Sequence, residues 1–312
     1  MFQNKFTNAI TVNITVYWGN AGPFTGTGLG ASSTQILGTY TYAQLTNALR
    51  SHRAGAADSN SVASLPGSDP IAGNVWWVPR AQVKVLGLPF ASPNDSTLDG
   101  EIDFASTVNY TFDPTNRAVG GKYDFIAVAE HEISEVLGRI PGLNIGGGGY
   151  LPYDLFRFTG NGVRSFNTTD TGVYFSTDNG ATALKFFNSN PSGDLQDWAT
   201  STPPDICDAF ASLGKQGLFS TNDATALDVL GYNRPALAAI RLTATPLTNG
   251  SCRINFTNIF SADFTVLAST NLTLPTANWT ALGTVTENPA GQYQYLDNPG
   301  TNRARFYRVR SP

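Results

Sequence analysis

His131 and Glu135 are the residues of this chain best spaced to hold a metal ion. They lie in the run Val128-Ala-Glu-His-Glu-Ile-Ser-Glu-Val-Leu-Gly138, which contains one of the two histidines and three of the five glutamates, Glu130, Glu132 and Glu135. Read as a helix, the run puts His131 and Glu135 one turn apart on one face, where both can grip the same cation. Glu132 directly follows the first donor and reaches a water on that ion. The ion acidifies the water and polarises a carbonyl, while Glu132 takes the proton as general base and passes it to a leaving amine. Glu130 points about 100° away from His131 and is expected to be a salt-bridge partner. The bland alternative is a buried helix whose carboxylates are neutralised by arginines such as Arg139 or Arg157, and the short motif does not by itself decide between the two.

The elements that must position these groups are legible around them. Asp124 suits the N-cap of the motif helix, and Gly138 with Pro141-Gly142 supplies its stop. Phe125, Ile126, Val128, Ala129, Ile133, Val136, Leu137 and Ile140 cover most of its circumference, so the helix is expected to be buried nearly all round. Carboxylates there are prohibitively costly unless paired, protonated or bound to a cation. Upstream, Ile10, Val12, Ile14, Val16 and Trp18 alternate as one face of a half-buried strand. A Gly/Ser-rich connection leads to a short helix at Tyr42 to Arg50, with His52 expected exposed at its end. Asn74 to Val78 reads as a strand, Ala81 to Leu86 as a helical turn and Gly100 to Ala105 as a strand, with Glu101 to Phe104 expected at a cleft edge where an extended peptide can pair. Downstream the chain is loop-rich. Asp170, Asp178, Asp194 and Asp223 are expected to cap turns there, with a structural calcium site as the lesser reading, and Asp154 to partner Arg157 rather than to bind metal. The first domain closes on a capped helix at Thr221 to Tyr232.

A length of 312 residues exceeds what one core normally organises, so two domains are expected, 1–233 and 234–312. Past Asn233-Arg-Pro235, short apolar runs recur between Asn/Pro/Gly turns, the rhythm of a small β-sandwich of the immunoglobulin or fibronectin-III kind. Charged residues make up only 13% and lysine is scarce, a balance closer to secreted bacterial proteins than to cytosolic ones. The net charge of -4 offers no basic stripe, which argues against a nucleic-acid partner. No apolar run is long enough for a membrane span. Met1-Phe-Gln-Asn-Lys5 begins in polar sequence, so export implies a leader already trimmed. Cys207 and Cys252 are expected in different domains and form neither a metal motif nor a disulfide framework.

The segment His131-Glu-Ile-Ser-Glu-Val-Leu-Gly138 resembles the active-site helix of metzincin-type zinc metalloproteases, in which a glycine three residues beyond the second ligand turns the chain sharply. The runs Tyr153-Asp-Leu-Phe-Arg-Phe158, Gly193-Asp-Leu-Gln-Asp-Trp198 and Ala226-Leu-Asp-Val-Leu-Gly-Tyr232 resemble the C-terminal half of bacterial leishmanolysin-like proteases. Residues from about Phe2 to Tyr232 resemble a bacterial family of secreted metalloproteases associated with PEP-CTERM sorting tails. The resemblance implies an α+β metzincin-like domain followed by the all-β one. It also implies a third ligand at Asp197-Trp198, where leishmanolysin-like enzymes have histidine and tryptophan, giving a metal set of His131, Glu135 and Asp197 with Glu132 as base. Two departures are plain: Pro141 stands where the compact metzincin motif has its third ligand, and the underlying methionine is missing, Ala209-Phe210 being the expected substitute floor. One imidazole with two carboxylates is a hard, anionic site. Zinc is the first expectation, and manganese, iron or calcium gain ground.

Three functions compete. A secreted endopeptidase would act on peptide or protein substrates, its second domain reaching a cell surface or glycan. A carbohydrate-active enzyme would use Glu132 and Glu135 as paired carboxylates without metal. A binding or adhesion protein would hold the ion fully enclosed.

Overall fold

The structure is a computed structural model and describes residues 2–19, 28–259, 262–287, 291–300 and 304–311, so residues 20–27 of the Gly/Ser-rich connection lie outside the described residues. The chain forms two compact units, 1–234 and 235–312.

In chain order the first unit carries β1 (Ile14–Trp18), β2 (Gly30–Thr34), β3 (Ile36–Tyr40), α1 (Tyr42–Ser51), α2 (Ala56–Ala63), β4 (Trp76–Pro79), α3 (Arg80–Leu86), β5 (Gly100–Phe104), β6 (Tyr110–Thr111), β7 (Tyr123–Asp124), α4 (Phe125–Val136), β8 (Arg157–Gly160), β9 (Val163–Arg164), β10 (Tyr174–Phe175), β11 (Lys185–Phe186) and α5 (Thr221–Asp228). Helices and small sheets are thus mixed. Three strands stand in the order β1-β5-β2, with β1 parallel and β2 antiparallel to β5. Ile102 and Phe104 of β5 are buried and pack with Val128, Ala129 and Val136 of α4. The expectation that Glu101 to Phe104 forms a cleft edge is corrected: β5 is central, paired on both sides, and β1 and β2 hold the two outer positions. The alternation read from Ile10 to Trp18 also breaks, because Val16 and Trp18 are exposed while Ile10, Val12 and Ile14 pack against the cores. Trp18 instead lies against Tyr110, Phe112 and Phe125, ring centroids 6.0 Å away.

Helix α4 forms where its sequence signals place it. Asp124 accepts a hydrogen bond from the Ala127 amide, and eight of the twelve helical residues are buried. Gly138 then takes φ +113°, a conformation that side chains resist, and the chain turns away. Beyond the turn, Asp154 accepts from the amides of Gly142, Leu143 and Leu151. Those three donors account for its burial, so it organises the turn. The expected partnership with Arg157 is electrostatic and not a direct ion pair: the guanidinium favours the Asp154 charge, while it donates to the Leu195 carbonyl at 2.7 Å and lies over the Phe187 ring.

The second unit is all β. Strands β12 (Thr243–Pro246), β13 (Cys252–Thr257), β14 (Thr265–Ser269), β15 (Thr280–Thr284), β16 (Thr286–Glu287), β17 (Gln292–Asp297) and β18 (Phe306–Arg310) form two antiparallel sheets, β12-β13-β17-β16 and β15-β14-β18. Phe256, Phe264 and Tyr293 make its buried core, with Val309 of the other sheet packed against them. Cys207 and Cys252 fall in separate units and both are free thiols.

Candidate metal centre

Three segments converge on His131: helix α4, strand β2, and the loop from Gln196 to Asp208. The loop is held by backbone, Trp198 donating to the Cys207 carbonyl at 2.8 Å and accepting from the Ala209 amide at 3.0 Å. Its indole, wholly buried, donates to Asp223 at 2.8 Å and so ties the loop to the start of α5. This anchoring presents two groups to His131. The Ile206 carbonyl stands 2.8 Å from Nδ1 and fixes the ring, and Asp197 Oδ1 stands 3.4 Å from Nε2. From within α4, Glu135 Oε1 lies 3.5 Å from the same Nε2.

The three donors of His131, Glu135 and Asp197 lie within 4.8 Å of one another. Donors bound tetrahedrally at about 2.1 Å stand about 3.4 Å apart, so the two separations at Nε2 match what a zinc-sized ion requires. Glu135 is positioned by neighbours on both oxygens. Ser32 of β2 donates to Oε2 at 2.6 Å and Gln196 to Oε1 at 2.7 Å. The residues present therefore fit a divalent cation, with the Nδ1 contact leaving Nε2 as the nitrogen that would coordinate it.

Arg139 backs this group. Its wholly buried guanidinium donates to Asp197 Oδ1 at 2.9 Å, to the Gln196 carbonyl at 3.1 Å and to Ser134 at 2.8 Å, and stands 3.5 Å from Glu135 Oε1. The arginine-neutralised helix weighed from sequence is therefore partly realised, by Arg139 and not by Arg157.

Glu132 projects from α4 beneath β2. A Cβ at Gly30 would lie 2.7 Å from its Oε1, so any other residue there would push the Glu132 carboxylate aside. Burial first, then repulsion from Glu135, pushes the Glu132 carboxyl up to about 8. Burial works against charge on His131, but Asp197 and the hydrogen-bonded Glu135 outweigh it and push the imidazole up to about 10. Burial likewise opposes the Glu135 charge, but the bond to His131 and the nearby Arg139 hold that carboxyl down at about 2. In the metal-free site His131 and Arg139 thus face Glu135 and Asp197, and burial with the Glu135 charge favours the neutral form of Glu132; burial also raises the Asp197 carboxyl, against the pull of His131 and Arg139. Arg139 Nη2, 3.5 Å from Nε2, is then a like-charge neighbour of the ring.

The site opens into a cavity of about 420 Å³ lined by His131, Glu132, Glu135, Gln196 and Asp197, by Gly28 to Ser32, and by the segment around Ile206 to Ala209. Arg139 does not line it. Ala209 does, but Phe210 is substantially exposed, so the expected Ala209-Phe210 floor is corrected: the buried groups behind the loop are Trp198 and Cys207. Among the other acidic residues, Glu130 faces Lys5 at 3.9 Å, and Asp178 caps its turn through Thr182 and Ser176. His52 caps the end of α1 as expected but is half-buried there, not exposed.

A second donor group, Asp205, Cys207 and Asp223, is buried nearby. Its carboxylate oxygens are already matched: Asp205 by the Cys207 amide and Lys185, Asp223 by Trp198 and the Ser220 amide. Burial and then Asp205 push Asp223 well above the usual carboxylate range. Its role is to clamp the loop that carries Asp197 and Ile206.

No family model, curated protein or solved structure matches this chain.

Proposed function

We propose that the first unit is a metal-dependent endopeptidase in which His131, Glu135 and Asp197 hold one divalent cation, zinc first, and Glu132 is the general base. The observation that carries this reading is the placement of Glu135 Oε1 and Asp197 Oδ1 at 3.5 and 3.4 Å from an imidazole nitrogen whose ring is fixed through its other nitrogen. A metzincin-like arrangement belongs to the same proposal. It is supported by a glycine turn after the second donor and an outer strand running over the motif helix. The cation, when bound, supplies Lewis acidity toward a substrate carbonyl. Glu132, neutral without it, gives up its proton beside a dication and can then accept and return a proton at the scissile bond. Among the described residues the outer edge of β2 pairs with no strand and faces the cavity, offering backbone donors and acceptors to an extended peptide.

The paired-carboxylate alternative fits less well, because Glu132 and Glu135 stand within one turn of a single helix and do not flank a sugar from two sides. An enclosed, purely structural ion fits less well too, since the donors line an open cavity. No helix among the described residues is long and apolar enough to cross a membrane. Export, and contact of the second unit with a cell surface or glycan, complete the proposal on the strength of the charge-poor composition. The test is peptide hydrolysis by the zinc-loaded protein. Activity should vanish with a chelator, return with zinc, and fall by roughly 10²- to 10⁴-fold in Glu132→Gln. Hydrolysis that survives both treatments contradicts the assignment.

A further inference from the structure

A site with two carboxylates and one imidazole carries one more negative charge than a site with two imidazoles and one carboxylate, and this chain places a compensating charge directly behind it. Arg139 donates to Asp197 Oδ1, the same oxygen that stands 3.4 Å from His131 Nε2. An oxygen with two lone pairs can serve a guanidinium with one and a cation with the other. The guanidinium does not line the cavity that the three donors line; Ser134, Gln196 and Asp197 hold it, and its Nη2 stands 3.5 Å from both His131 Nε2 and Glu135 Oε1.

Resting on the metal-site reading above, we propose that Arg139 is a positioning residue and resident counter-charge: it stays in place when the cation binds, orients Asp197, and lowers the net charge of the His131-Glu135-Asp197 set from -2 to -1. Two consequences follow. Without metal, Arg139 keeps two buried carboxylates from being left without a permanent cation, so the empty site folds. With metal, its repulsion of the dication limits affinity, so the ion is held less tightly than by the same three ligands alone.

The experiment measures zinc affinity, by competition with a chromophoric chelator, and melting temperature with and without zinc, on the full chain as wild type, Arg139→Lys, Arg139→Met and Arg139→Gln. Charge-free Arg139→Met should bind zinc on the order of tenfold to a thousandfold more tightly than wild type. Its metal-free form should melt lower and gain more from zinc. Arg139→Gln keeps a donor without the charge and gives the same comparison should Arg139→Met fail to fold, while Arg139→Lys should stay close to wild type in affinity. Unchanged or weaker zinc binding in both charge-free variants overturns the counter-charge role while leaving the metal site standing. Zinc binding only after the arginine is removed also overturns it, because the guanidinium would then replace the ion. Absence of binding in all four proteins overturns the metal reading itself.

Discussion

The chemistry of the site turns on protons as much as on ligands. In the metal-free protein His131 is held protonated by Asp197 and Glu135, up to about 10, and Glu132 is held protonated by burial, up to about 8. A dication needs the Nε2 lone pair and favours the ionised Glu132, so binding must expel both protons. At pH 7 zinc uptake should release about two protons, read from titrations in buffers of different ionisation enthalpy, and Glu132→Gln should reduce the release by about one. Gly30→Ala probes the same carboxylate from the other side. The added methyl group meets Glu132 Oε1 at 2.7 Å, so peptidase activity should fall about tenfold or more with zinc binding intact, since no ligand is touched. Only part of this was readable in the sequence. His131, Glu132 and Glu135 announce themselves by helical spacing, and Glu130 by its opposite face. Asp197 came only through a resemblance, because nothing local marks an aspartate in a loop as a partner of a distant helix. The Ile206 carbonyl, Ser32 and Gln196 carried no signal, since a backbone oxygen or a lone hydroxyl gains its role from packing alone.

Among the elements, those with apolar periodicity were found and those held by polar bonds were missed. Helices α1, α4 and α5 and strands β4 and β5 fall close to their expected positions because caps and alternation mark them. Strand β2 falls within the expected Gly/Ser-rich connection, because Gly30-Ala-Ser-Ser-Thr34 has no apolar face to reveal it. Its attachment is polar, Ser32 to the Glu135 carboxylate and Thr34 to the Glu135 carbonyl at 3.1 Å. Helix α3 hides a second surprise. All seven of its residues are buried, Lys84 included. Lys84 Nζ donates to Asp99 Oδ2 at 2.6 Å and to the Thr11 carbonyl, and Arg80 pairs with Asp99 and Asp95. Asp99 also accepts from the Asn13 amide, so this network pins the entry to β1 and the start of β5 to α3. Losing Lys84 takes the shorter ion pair from buried Asp99 and leaves it Arg80 at 3.3 Å and the Asn13 amide. Lys84→Met should therefore cost about 1.5–3 kcal/mol of unfolding free energy by denaturant titration. A loss within about 0.5 kcal/mol would show the network to be marginal.

At the level of the whole molecule, the two units have separate cores, and the site belongs entirely to residues 1–234. Chain ending at Arg234 should bind zinc as the full chain does, a comparison made by the same chelator competition. Stability should depend on pH in a direction set by the site. For both Glu132 and His131 the folded pKa lies above the unfolded one, so their contribution is complete below about 4.5 and about 6.5 respectively. It is lost as pH rises through about 8 for Glu132 and about 10 for His131. Melting of the metal-free protein should fall across that window, while zinc, whose ligands are deprotonated, should stabilise more as pH rises through it. The most direct test of the central claim is X-ray absorption at the zinc edge of the loaded full-length protein. Coordination by His131, Glu135 and Asp197 predicts a shell of nitrogen and oxygen at about 2.0–2.1 Å with a single imidazole signature. A sulfur scatterer at about 2.3 Å would place the ion instead at Cys207 with Asp205 and Asp223, and would contradict the account.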